Sequence, residues 1–122
     1  MMEKNKVFDN PADIGILLRF REAVKVLCTE TGPLGERLYR AYWDCGVMHL
    51  HSSNFQDDYI ASRLKCIEKM VNIGTQKLNN VAGIYFQVKV LRLHWRYATK
   101  MARAIFEIYD YLTQLRVEAQ TL

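Results

Sequence analysis

At 122 residues, half of them apolar, the chain is long enough for one domain with its own hydrophobic core, and six glycines and two prolines are too few for an all-β fold. Charged residues at 25% and aromatics at 11% exclude a disordered chain. The net charge is +4, and the polar start, Met1 to Asn10, holds no apolar run for a signal peptide or membrane span, so the expectation is a cytoplasmic protein without membrane contact.

The elements expected in chain order are four amphipathic helices in an all-α bundle, one domain over 1–122 with a flexible segment at 1–10. Asn10 followed by Pro11 reads as a helix start, with Asp13 at the positive end of the dipole. Ile14, Leu17, Phe20, Val24 and Leu27 then form one stripe to about Glu30, where Gly32-Pro33 turns the chain. A second helix is expected from Leu34 to about His51, with Leu34, Leu38, Ala41, Cys45 and Met48 on one face and Gly46 as a weak point or a site of close approach. Ser52-Ser53-Asn54 reads as a loop. Asp57 and Asp58 open a third helix with Ile60, Leu64, Ile67 and Val71 inward and Gly74 as its cap. A loop is expected over 72–83.

Beyond it, Asn79 or Asn80 caps a last helix over 81–118, whose seam is Val81, Ile84, Val88, Leu91, Trp95, Ala98, Ala102, Ile105, Tyr109 and Leu112. Val90, Tyr97, Met101, Ile108 and Leu115 widen its apolar face. At about 57 Å this helix is overlong for its partners, which implies either a break around His94 to Thr99 or an exposed half covered by another chain.

Charge is distributed unevenly. No acid lies between Glu68 and Glu107, a stretch with seven of the 17 Lys and Arg; the remaining ten are outnumbered by 13 acids. Lys89, Arg92, Arg96, Lys100 and Arg103 fall at helical spacing on a line about 21 Å long, with Tyr85 one turn before it. Such a ridge could follow a nucleic-acid backbone with Tyr85 stacking on a base, meet an acidic protein surface, or be a solvated face paired with neighbouring carboxylates. Within the helix only Arg103 has an acid at i+4, Glu107.

Signals for catalysis are weak. Cys45 and His49 share a helix face, but His51 points elsewhere and no second ligand pair follows, so no metal and no cofactor are expected. His94 beside Trp95 reads as a partly buried histidine with a local hydrogen-bond partner. Cys28, Cys45 and Cys66 suit reduced, partly buried thiols, with a Cys28–Cys66 bridge left open. Phosphate loops, nucleophile elbows, HExxH and repeated CxxC are missing. So is the arginine followed four to six residues later by histidine that marks HEPN-type ribonucleases.

The expectation is therefore a non-enzymatic interaction module, a regulator, inhibitor or small subunit of a larger complex. It is expected to bind a protein partner or itself through the last helix, with Trp95, Ala98, Ala102, Ile105 and Tyr109 as interface or core anchors. The alternative is a nucleic-acid-binding subunit that uses Tyr85, Lys89, Arg92, Arg96, Lys100 and Arg103.

Overall fold

A computed structural model describes residues 12–82 and 93–121, and every regular element among them is helical. Helix α1, Ala12–Thr29, buries Phe20 and Ala23 and half-buries Leu17, Val24 and Leu27. It ends before Gly32, whose φ of +107° is costly for residues with a Cβ. Two arginines fasten the turn that follows. Arg37 donates from Nη1 to the Leu27 carbonyl (2.7 Å), an acceptor that the end of α1 leaves open, and from Nε to the Gly32 carbonyl of the turn (3.1 Å). Arg40 pairs with Glu30 through a contact off its Nε–H direction, a charge attraction rather than a hydrogen bond.

The second helix is shorter than its apolar spacing implies. Helix α2 covers Leu34–Tyr39 and widens into a π-helical stretch, Arg40–Asp44, where the Cys45 N–H reaches the Arg40 carbonyl at 3.3 Å. Tyr39 and Tyr42 pack against Trp43 there, at ring separations of 5.0 and 4.8 Å. Gly46, at φ +83°, then breaks the helix outright. Val47, in place of the expected Met48, then reaches the core on a 3₁₀ turn, Val47–His49, so the change of backbone path shifts the apolar register by one residue. A further 3₁₀ turn, Ser52–Asn54, is held by Glu68, which accepts from the Ser52 N–H (2.9 Å) and hydroxyl (3.1 Å).

Helix α3, Asp58–Ala82, is capped by Asp57, whose Oδ1 accepts from the N–H groups of Tyr59 (2.9 Å) and Ile60 (3.3 Å). Ile60, Leu64, Ile67 and Met70 are buried along it. The expected cap at Gly74 and loop over 72–83 are corrected: Gly74 is buried inside α3, which continues through Asn79 and Asn80 to Ala82. A glycine costs only about 1 kcal/mol in a helix, and packing offsets that.

Of the two alternatives for the helix expected over 81–118, a break near His94 is the one found. Leu93 and His94 are not helical, and α4 runs Trp95–Thr121. His94 starts it: its carbonyl accepts from the N–H groups of Tyr97 (2.9 Å) and Ala98 (3.0 Å), and its Nδ1 from that of Arg96 (3.2 Å). At 27 residues α4 is the longest described helix, well beyond the 18 of α1 but close to the 25 of α3. It packs against α1, α2 and α3, giving a bundle of four helices. No described helix is long and apolar enough to cross a membrane.

A polar cluster sets α4 against α3. Tyr111 donates to Asp57 Oδ2 at 2.5 Å and stacks on Tyr59 at 4.4 Å; Arg63 lies 3.4 Å over the Tyr59 ring and pairs with Glu107 at 3.1 Å. Burial first, then the hydrogen bond and charge of Asp57, push the Tyr111 hydroxyl from 10.0 up to about 12. A raised tyrosine value means that this contribution is complete below about pH 10 and lost as pH climbs through about 12. Tyr111→Phe should therefore cost about 1–3 kcal/mol at neutral pH by leaving Asp57 short of a donor. It should also flatten the alkaline decline in stability, read as the loss of helical circular dichroism with pH. An unchanged alkaline profile would show that the bond carries none of it.

Candidate interaction surface

Helix α4 has a buried face, a charged face and, between them, an apolar margin. The buried face is Ala98, Met101, Ala104, Ile105, Ile108 and Leu112. Of the expected anchors, Ala98 and Ile105 are thus core residues, while Ala102 and Tyr109 are half-buried at its edge. Trp95 is not in the core: it stands 66% exposed. The physical reason is phase. Met101 and Ile108 share the centre of the face with Ile105 and Leu112, which rotates the core away from the line through Trp95. Tyr97, from the second stripe, is 42% exposed although its phase falls between buried Ala104 and Ile108; it lies in the first turn of α4.

The margin carries the exposed apolar surface. Trp95, Phe106 (52% exposed) and Val117 (52% exposed) recur every eleven residues, so they lie nearly on one line of the helix, three turns apart. Thr99, Ala102, Tyr109 and Thr113 fill the same strip. Phe106 belongs to neither expected stripe because it falls between the core seam and the cations. The eleven-residue recurrence is the signal that marks it.

The charged face lies next to this strip. Arg96, Lys100 and Arg103 are all exposed, and none has an ion pair among the described residues. Arg96 sits 5.7 Å from the Trp95 ring centre and Lys100 6.0 Å from that of Tyr97, loose cation–π contacts. Glu107, the one acid within helical reach of Arg103, is engaged by Arg63. Tyr85, Lys89 and Arg92 lie outside the described residues. Leu93 and His94 are not helical, so of the five expected cations the described residues place three, Arg96, Lys100 and Arg103, on α4.

The other candidates fall elsewhere. Cys45 is half-buried, whereas His49 and His51 are exposed, and no group of three or more His, Cys, Asp or Glu among the described residues could hold a metal ion. Burial, then the carboxylates of Glu22, Asp44 and Glu30, push the Cys45 thiol up, away from the thiolate that a ligand or nucleophile needs. All three cysteines are free, Cys28 exposed and the others half-buried, so no Cys28–Cys66 bridge forms. His94 is exposed rather than partly buried, though its local hydrogen bond is present.

Protein-family models, curated proteins and solved structures were all searched without a match.

The phase of α4 yields a paired stability prediction. Ile108→Ala should cost about 2–5 kcal/mol. Trp95→Ala should stay within about 0.5 kcal/mol in dilute solution. Denaturant midpoints of both variants decide it, and a large loss at Trp95 would place that ring in the core after all.

Proposed function

We propose that this protein is a non-enzymatic interaction module that self-associates through the outer strip of α4. The observation that carries this reading is the line of Trp95, Phe106 and Val117, large apolar side chains left in water at the margin of a helix whose neighbouring face is the core. Burying such side chains against a partner removes apolar area from water with no rearrangement of the bundle. Trp95 gives the strip the residue type most enriched among energetically dominant contacts, and half-buried Tyr109 adds an aromatic already ordered by its packing. In this role the protein would act as a regulator, inhibitor or small subunit, with the association surface as its working part.

Phe106→Asp puts a charge in the middle of the strip and away from the core. Sedimentation equilibrium should show concentration-dependent association of the wild-type protein and a monomer for the variant, with unchanged helical circular dichroism. A wild-type chain that stays monomeric over the whole dilution series, or a variant that associates equally well, would overturn the proposal.

The exposed cations support a second reading, binding of a nucleic-acid backbone by Arg96, Lys100 and Arg103. Neutralising about three phosphates gives a log–log salt slope near −2.7 for duplex, so raising salt from 50 to 200 mM should weaken binding about 40-fold. Reversing all three to glutamate should abolish it. Absence of binding to DNA and RNA at low salt rejects this reading.

A further inference from the structure

Resting on the self-association reading, we propose that the partner on α4 is a second copy of the same helix, packed antiparallel about a two-fold axis level with Ala104. The outer strip has the spacing of a coiled-coil seam, Trp95, Thr99, Ala102, Phe106, Tyr109 and Thr113 alternating four and three. Large and small residues alternate unevenly along it, so most registers set ring against ring or leave gaps.

One antiparallel register matches them throughout. With the axis level with Ala104, Ala102 meets the partner's Phe106, Thr99 meets the partner's Tyr109, and Trp95 meets the partner's Thr113. Each layer then sets a small side chain against a ring, the condition for close packing without strain. The symmetry repeats every layer on the other side of the axis, as a closed dimer requires.

Charge agrees with this register. Arg96, Arg103 and Asp110 flank the strip on the side away from the core, all three exposed and without an ion pair among the described residues. Antiparallel packing about Ala104 brings Arg96 to the partner's Asp110, offset by about two residues or 3 Å along the axis, and does so twice. Arg103 falls beside the axis, near the partner's Arg103. The arrangement thus contains two attractive pairs at its ends and one like-charge contact at its centre. A parallel pairing would put the two charged flanks on opposite sides of the seam, where Arg96 and Asp110 meet no flanking charge of the partner. An antiparallel pairing shifted by one layer would instead set Arg103 against the partner's Asp110.

These alternatives separate in a charge-exchange experiment on the full chain, with dissociation constants from sedimentation at low ionic strength. Arg96→Asp and Asp110→Arg should each raise the dissociation constant about tenfold. An equimolar mixture of the two single variants, and the variant carrying both changes, should return to the wild-type value. Arg103→Gln should tighten association by removing the central repulsion, and all these differences should shrink in high salt. All three positions face solvent, so circular dichroism should remain that of the wild type.

The outcomes divide cleanly. If the mixture and the variant with both changes stay as weak as the single variants, Arg96 and Asp110 do not face each other across the dimer and the inference is overturned. If Arg103→Gln weakens association, the register is the shifted one and the axis at Ala104 is wrong. If the wild type associates but no flanking change matters, the copies pack parallel or dock elsewhere; the inference is overturned, although self-association stands. If the wild type does not associate at all, the functional reading itself fails.

Discussion

Asp57 is the one charged residue that is nearly buried among the described residues, 4% exposed, and both of its oxygens are committed. One holds the first N–H groups of α3; the other receives the Tyr111 hydroxyl from α4. A buried carboxylate is tolerated only where donors replace water, so the start of α3 and the rotation of α4 are fixed together. With Tyr59 stacked on Tyr111 and Arg63 bridging to Glu107, α4 can present only one face to the core. What remains outside, the apolar strip and the cations, follows from that rotation.

Helix α4 therefore works in two directions. Inward, Met101, Ile105, Ile108 and Leu112 give α1, α2 and α3 a common packing surface. Outward, the same helix leaves rings in water on a segment whose other face is already packed in the core. Rigid presentation lowers the ordering cost of association, which makes such a strip better suited to docking than the same residues on a loop. The tie between the faces also constrains variation: a substitution that rotates α4 to bury Trp95 would withdraw Met101 or Ile108 from the core.

The helical class, the turn at Gly32-Pro33 and the inward faces of α1 and α3 were legible because each rests on local chemistry: capping, a left-handed glycine, a 3.6-residue stripe. Where the reading missed, longer-range packing decided. Gly46 and Gly74 look alike in sequence, yet the first takes a left-handed conformation and ends a helix while the second is buried in the middle of one. His94 reads as part of an apolar helix but caps α4 with its ring nitrogen, a use that periodicity cannot show. On α4 two overlapping seams are present, and spacing alone does not say which is the core. Trp95 was assigned inward on that ambiguity, and Phe106 was passed over because it belongs to the other seam.

The central claim, that the outer strip of α4 is the working surface, is tested most directly by amide and side-chain NMR shifts followed through a dilution series. Concentration-dependent shifts should concentrate at Trp95, Thr99, Ala102, Phe106, Tyr109 and Thr113, with the exposed face of α1 unmoved. Shifts centred on any other helix, or none across a range in which the protein's mass changes, would contradict it.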